Sequence, residues 1–221
     1  MNTQIDITKN GTTTLATAGK YCDRNIDVNV VVESGANYTA LLDGSITGEY
    51  IDEKITSLRL GAFASTNFTK ISLPNCTEIL GRYAFDSCTA TTVELPNLTR
   101  ITDATYTFNG MSNLQSIDLS KLTTASSFAA VFANCSEIKR IDLRNLGGAT
   151  FGNLCFSNCY KLETLILGGT AINTLSNTNG LGGTPATMSI YVPDGLVDAY
   201  KNATNWITYA SRIKSMSELE E

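Results

Sequence analysis

Histidine is absent from the 221-residue sequence. Histidine is the usual general base near neutral pH and the commonest zinc ligand. Its absence therefore removes the Ser-His and Cys-His nucleophile pairs and most zinc sites. Chemistry by paired carboxylates, such as glycoside hydrolysis, is what this composition leaves open.

Charged residues are also scarce, at 17% of the chain, and acidic residues outnumber basic ones by 21 to 16. A nucleic-acid partner requires a basic face, and no run of lysine and arginine supplies one. Every apolar run is shorter than the roughly 18 residues of a membrane span, so we expect no membrane insertion. The opening MNTQIDITKNG has neither the basic nor the apolar region of a signal peptide.

A repeated pattern fills the middle of the chain. Its strand-like segments begin 22, 24, 24 and 24 residues apart, at Ile71, Val93, Ile117, Ile141 and Leu165. A weaker unit precedes them from Ile55, and a closing unit begins at Ile190. Apolar and other residues alternate over each segment, which predicts a short β-strand. The period predicts a stacked solenoid, because one unit cannot bury its apolar residues alone.

Each unit continues into further apolar columns. The aromatic column reads Phe63, Phe85, Phe108, Phe132 and Phe156. Three residues after the last four of these stand Cys88, Met111, Cys135 and Cys159. We expect these side chains to face the interior, with successive units about 4.8 Å apart.

The pattern I-x-L-P…I-x-x-x-A-F-x-x-C-x-x-L resembles the BspA-like (Treponema-type) leucine-rich repeat of bacterial surface proteins. The segment ILGRYAFDSC, from Ile79 to Cys88, matches most closely, and the resemblance covers Ile55 to Val192. Later units add one residue before the phenylalanine, and Met111 replaces the cysteine. The resemblance implies a right-handed, mainly β leucine-rich-repeat solenoid. It also implies a surface-exposed binding or adhesion module whose repeats define no catalytic residue.

The repeat divides the chain into residues 1–48, 49–192 and 193–221. The first region is predicted to be a small β unit, because Asn10-Gly11 between two strand-like runs indicates a hairpin. NIDVNVVVE predicts a further strand there. The stretch ITKNGTTTLATAGKYCDRNIDVNV resembles N-terminal segments of tail-associated proteins from phages and prophages of Gram-positive bacteria.

Residues 193–221 are predicted to form a cap and a tail. Asp194 is expected to be a helix N-cap. The apolar stripe of this helix is predicted to be Leu196, Val197 and Tyr200. Trp206 and Ile207 are expected to cover the last coil, since an open edge would pair with other chains. The final SMSELEE is predicted to be a frayed acidic tail.

Six cysteines could form a disulfide framework, but their positions favour buried free thiols. Cys88, Cys135 and Cys159 share one inward column, and Cys76 takes a leucine position, where cysteine acts as a small hydrophobe. Cys88 and Cys135 are separated by a whole coil, about 9–10 Å, which is too far for a disulfide. Cys135 and Cys159 are one coil apart, where a bond is marginal. A metal pair of Cys155 and Cys159 lacks further ligands.

The outward strand positions form the candidate binding face. One outward column reads Ser72, Glu94, Asp118, Asp142 and Ile166, and its neighbour reads Lys70, Thr92, Ser116, Arg140 and Thr164. The carboxylates of Glu94, Asp118 and Asp142 therefore stack about one strand spacing apart, with Arg140 beside Asp142. The same residues also fit a solvated face that keeps the protein soluble. A retaining glycosidase pair would need a cleft, which a flat ladder does not supply.

The sequence thus predicts a non-enzymatic recognition or adhesion module without cofactor or metal, whose partner is a protein or glycan. We expect it at a bacterial cell surface or on a phage tail, and a cytoplasmic location stays open. One alternative is a carboxylate-based hydrolase of surface polysaccharide. Another is a structural protein in which the N-terminal unit drives homo-oligomerisation and the repeat is a spacer.

Overall fold

A computed structural model describes residues 47–220 together with two N-terminal strands. These strands, β1 (Gln4–Thr8) and β2 (Gly11–Thr14), pair antiparallel with Thr8 opposite Gly11. The hairpin predicted from Asn10-Gly11 is therefore confirmed. The strand predicted at NIDVNVVVE lies outside the described residues.

One long parallel sheet runs through the repeat. Its eight strands pair in the order β16-β15-β13-β11-β9-β7-β5-β3. They are β3 (Thr47–Ile51), β5 (Asn67–Ser72), β7 (Thr92–Glu94), β9 (Ser116–Asp118), β11 (Arg140–Leu143), β13 (Thr164–Leu167), β15 (Ser189–Val192) and β16 (Ile213–Ser215). Lys70 pairs with Thr92, Thr92 with Ser116 and Ser116 with Arg140, so the predicted alignment of the units is confirmed.

A second set of two-residue strands lies on the returning part of the coils. Four form one sheet, in the order β10-β8-β6-β4, and β12 pairs with β14. Their bounds are β4 (Ser57–Leu58), β6 (Glu78–Ile79), β8 (Arg100–Ile101), β10 (Thr124–Ala125), β12 (Thr150–Phe151) and β14 (Thr174–Leu175). Each coil therefore contains two strand positions joined by turns, as in a leucine-rich-repeat solenoid of mainly β structure.

The phenylalanine column forms a continuous stack inside the solenoid. Neighbouring rings from Phe63 to Phe156 have centroids 5.4, 5.4, 5.1 and 5.9 Å apart and interplanar angles of 4° to 9°. All five rings are fully buried. The predicted column is confirmed, and its spacing is slightly larger than the strand spacing of about 4.8 Å within the sheet.

Each coil turns at two positions with left-handed backbone, two residues before and two residues after the phenylalanine. The first column is Gly61, Tyr83, Tyr106, Ala130 and Leu154, and the second is Ser65, Ser87, Gly110, Asn134 and Asn158. Amides in these turns donate to carbonyls of the next coil, as Phe85 N does to Thr107 O at 2.8 Å. Other amides of the turns donate within one coil, as Asp86 N does to Tyr83 O at 3.2 Å, so the turns satisfy their backbone groups both between coils and within them.

The C-terminal residues close the last coil with one α-helix, three short 3-10 helices and one strand. Helix α1 (Val197–Asn202) is followed by a 3-10 helix, Trp206–Arg212, and then by β16. Tyr200 and Trp206 are fully buried, and Leu196 and Val197 pack partly buried against the core, as predicted. Among the described residues, no helix is long and apolar enough to cross a membrane.

Three predictions for this end are wrong. Asp194 does not cap α1, which begins after Leu196; its carboxylate instead accepts hydrogen bonds from Ser215 Oγ and Ser217 N. Ile207 is 59% exposed and does not cover the coil. The segment predicted to be frayed contributes Ser215 to β16 and a short 3-10 helix, Met216–Glu218, which a capping box starts. The chain's own last strand thereby pairs with β15 and forms the final strand of the long sheet.

Candidate functional site

The outward side of the long sheet, here called the sheet face, carries the charges that the sequence places there. Ser72 pairs with Glu94 across neighbouring strands, and Asp142 pairs with both Asp118 and Ile166. The predicted column is thus assembled by the parallel register. Its members differ in accessibility, however, because Ser72, Asp142 and Ile166 are buried. The alternative interpretation, a solvated face, therefore does not apply at these three positions.

At the N-terminal end of the sheet face, Lys70 and Glu94 form an ion pair. Lys70 Nζ lies 2.6 Å from Glu94 Oε1, and both side chains are partly exposed. Hydrogen bonds from Lys70 and Ser72 hold the pKa of Glu94 below its usual value, and the bond to Glu94 raises the pKa of Lys70. Exposed pairs of this kind add little to stability. The pair fixes the place of two opposite charges on the surface.

On β11, two strands further along the sheet than Glu94, a buried carboxylate holds two arginines. Asp142 is only 5% exposed. Arg144 binds it through Nε, 3.0 Å from Oδ1, and Nη2, 2.6 Å from Oδ2, while Arg140 Nη2 lies 3.3 Å from Oδ2. Burial opposes ionisation of Asp142, but its hydrogen bonds with Arg144 and the two positive charges outweigh burial and lower its pKa. Asp142 therefore acts as an anchor for arginines rather than as an accessible ligand group.

We expect Asp142→Asn to destabilise the fold by about 1–3 kcal/mol at pH 7. Breaking a buried pair costs about 3–5 kcal/mol, and the smaller value follows because about a third of each arginine side chain is exposed to solvent. A carboxyl with a lowered pKa stabilises the native state above its unfolded pKa, near 3.9, and loses this effect as pH falls through the folded pKa. The difference from the native sequence should thus shrink below about pH 4.

Urea titrations at pH 7 and at pH 3 would measure this difference. Asp118→Asn is the matched control, because Asp118 is exposed on the neighbouring strand, and the same substitution there should change stability by less than about 0.5 kcal/mol. An equal loss of unfolding free energy in the two variants at pH 7 would show that the ion pairs of Asp142 with Arg140 and Arg144 do not stabilise the fold.

Asp118 lies between these two ion-paired groups and is exposed. Its Oδ1 accepts a hydrogen bond from Ser120 N at 2.8 Å, which fixes the carboxylate close to the strand end. Within residues 47–220, no lysine or arginine forms an ion pair with it. Asp118 is therefore the accessible carboxylate at the centre of the sheet face.

The five cysteines that the structure describes occupy the interior, as predicted. Cys76, Cys88, Cys135, Cys155 and Cys159 are all buried and free. Burial raises the pKa of Cys76 and of Cys159 to about 12, and it also raises the pKa of the other three thiols. Cys135 and Cys159 donate to the carbonyls of Phe108 and Phe132, at 3.0 and 3.1 Å. Because the thiolate is the reactive form, these groups serve packing and not nucleophilic chemistry.

Metal-ligating side chains do not converge in the part of the chain that the structure describes. No group of three or more cysteine, aspartate or glutamate side chains there could hold a metal ion. On the sheet face, the ion pairs of Glu94 and Asp142 occupy two of the three stacked carboxylates. The arrangement can therefore present fixed charges to a partner.

Two structural features carry no repeated sequence pattern and were missed. Asn173 is completely buried and joins the last coils to the cap. Its Nδ2 donates to Leu146 O and Tyr200 Oη, its Oδ1 accepts from Ala149 N, and its carbonyl accepts from Trp206 Nε1. Strand β16 is the second feature. Asn173 lies directly before β14, where the preceding coil has Ala149, and β16 lies beyond the repeat, so the period of the repeat indicates neither feature.

Parallel strands one coil apart, a stacked internal column and short turns define the class: the protein is a leucine-rich-repeat solenoid. Comparison with protein families matches residues 50–178 to the BspA type leucine-rich repeat region, in six copies. This match spans more than half of the chain, and the chain belongs to that family. The resemblance seen in the repeat is confirmed. No curated protein matches the sequence.

Proposed function

We propose that this protein is a non-enzymatic recognition module that binds a protein partner through the sheet face. The observation that carries the proposal is the arrangement of Asp118 between two immobilised charge groups. Lys70 and Glu94 hold each other on one side, and buried Asp142 holds Arg140 on the other. Charges fixed before binding lose less conformational freedom when a partner docks, which favours specific recognition.

The mixed signs of these charges favour a protein over a polyanion. Along the face, a positive and a negative charge are followed by the single negative charge of Asp118 and then by the arginine cluster. A polyanion would be repelled by the exposed carboxylates, whereas a protein surface can match both signs. Leucine-rich repeats are protein-interaction modules in general, which supports the same choice.

Proteins with BspA-type repeats are typically surface proteins, and we place this one at a bacterial cell surface. The N-terminal resemblance to phage tail-associated proteins supports the other location, a virion. The family match begins at residue 50 and does not include that segment. Immunodetection in purified cell envelopes and in purified virions of the source strain would separate the two locations.

Binding of a labelled sample to an array of secreted and cell-surface proteins would identify partners, and variants would then test the face. Asp118→Arg is expected to weaken the binding of such a partner at least about tenfold, which corresponds to about 1.4 kcal/mol. The matched control is Asp198→Arg, the same charge reversal at an exposed position on helix α1. It should change the affinity less than about twofold.

Surface plasmon resonance at two salt concentrations gives both affinities and their ionic dependence. A partner whose affinity is equal for Asp118→Arg, Arg140→Glu and the native sequence would contradict the proposal. Turnover of polysaccharides from the same cell surface would instead favour the hydrolase alternative.

A further inference from the structure

We propose that a cavity beside Tyr83, on the turns of the repeat and away from the sheet face, binds one ring of a neutral pyranose oligosaccharide. The cavity has a volume of about 470 Å³. Its lining includes Leu60, Gly61, Ser65, Arg82, Tyr83 and Asp86. Small-molecule sites commonly measure about 300–1,000 Å³, so the cavity has room for a sugar ring and part of its neighbour.

A stacked pair of tyrosines forms one wall. The rings of Tyr83 and Tyr106 lie 5.1 Å apart between centroids and 6° from parallel. They occupy the same turn position of successive coils, and Gly61 occupies that position in the preceding coil. Glycine contributes no side chain, so the column of rings ends at Tyr83. A ligand ring stacked on Tyr83 would take the next place in the column, about one strand spacing (4.8 Å) away.

Tyr83 and Tyr106 occupy a turn position whose backbone conformation is unfavourable for large side chains. The position has left-handed backbone in five successive coils, with φ of 61° at Tyr83 and 56° at Tyr106, and alanine and leucine occupy it in the last two. A bulky residue is unfavourable there, whereas glycine adopts this conformation freely, as Gly61 does with φ of 63°. The two tyrosines are only partly buried. Gly61 shows that the fold requires no large side chain at this position, and the Tyr83 ring forms part of the cavity wall, where a ligand can contact it.

Polar groups beside the ring match the hydroxyls of a sugar. Arg82 Nη2 is held by Asp103 Oδ2 at 3.1 Å, and Asp86 Oδ1 accepts a hydrogen bond from Asn109 at 2.6 Å. Each group keeps further hydrogen-bonding capacity, because a guanidinium has five donors and a carboxylate about four acceptor sites. A pyranose presents C–H groups to an aromatic face and hydroxyls at its edge. An aromatic side chain of a peptide would stack on Tyr83 but would leave Arg82 and Asp86 unused.

Isothermal titration of the full chain with cellotetraose tests the proposal, since β-1,4-linked glucose exposes C–H groups on both ring faces. We expect saturable binding by the native protein. Tyr83→Gly removes the ring and introduces the residue that the preceding coil has at the same backbone conformation, so the fold is retained. It should weaken binding at least about tenfold. Tyr83→Phe keeps the ring and should bind within about threefold of native.

Asp86→Ala should weaken binding at least about fivefold by removing the acceptor. Tyr160→Ala is the matched control, because Tyr160 is 60% exposed and lies outside the cavity lining. It should bind cellotetraose as the native protein does. Unchanged affinity in Tyr83→Gly would overturn the proposal. The absence of cellotetraose binding at about 10 mM, a generous limit for a single-ring site, would also overturn it. Saturable binding of N-acetyltryptophanamide with no binding of cellotetraose would also overturn it, in favour of a peptide ligand.

Discussion

Replacing Phe108 by alanine is expected to lower the free energy of unfolding by about 3–5 kcal/mol. Phe108 is fully buried, and its ring lies between those of Phe85 and Phe132, at 5.4 and 5.1 Å. The substitution removes two ring contacts at once and leaves a cavity that the stacked coils cannot close, because hydrogen bonds between coils fix their spacing. Phe108 also stands in the middle of the column, so its loss weakens the coupling between the two halves of the solenoid.

Urea unfolding followed by circular dichroism would measure this loss. Phe108→Leu is the control, since leucine retains most of the apolar volume and should cost less than about 2 kcal/mol. If the urea unfolding transition of Phe108→Ala is broader than that of the native protein, the two halves of the solenoid on either side of Phe108 unfold separately. A loss below about 1.5 kcal/mol for Phe108→Ala would show that the column does not carry the stability assigned to it.

The second large effect is expected at Asn173. Asn173→Leu preserves the approximate volume but leaves Ala149 N, Leu146 O and Tyr200 Oη without the side-chain partner that each has in the native protein. A buried polar group without a partner costs about 1–3 kcal/mol, so we expect a total loss of about 3–5 kcal/mol. The loss should act first on the cap, because Tyr200 and Trp206 are attached to the last coils through this residue.

Fluorescence of Trp206, the single tryptophan of the chain, would report on the cap separately from the sheet. In Asn173→Leu the fluorescence transition should occur at lower urea than the circular dichroism transition. The control is Asn145→Leu, which removes an exposed asparagine that donates to Ser120 O at 2.6 Å and should cost less than about 1 kcal/mol. Coincident transitions and equal losses in both variants would contradict the role assigned to Asn173.

The repeated part of the fold could be predicted because each of its features recurs. The period fixes which residues stack, so one pattern of alternating strand residues and one phenylalanine per unit specifies the interior. The free thiols follow from the same columns. The features that were not predicted each occur once. Asn173 acts through a side chain that no other coil repeats, and β16 lies beyond the repeat and ends at Ser215, the first residue of the segment predicted to be a tail.

The candidate binding residues could be placed by sequence but their accessibility could not. Alternation puts Asp142 on the outward side of β11, and there the prediction is correct. Alternation does not show that Arg144, two residues later, folds back with Arg140 over the carboxylate. Burial on a sheet face depends on such contacts between long side chains, which the period of the repeat leaves open.

The columns inside the solenoid hold the fold, and we propose that the sheet face binds the partner. The most direct test is to measure the unfolding temperature and the partner affinity of Asp118→Arg on the same preparation. We predict an unfolding temperature within about 2 °C of native, because Asp118 is exposed, together with at least about tenfold weaker binding. Native affinity at an unchanged unfolding temperature would contradict the claim, since the exposed centre of the face would then not take part in recognition.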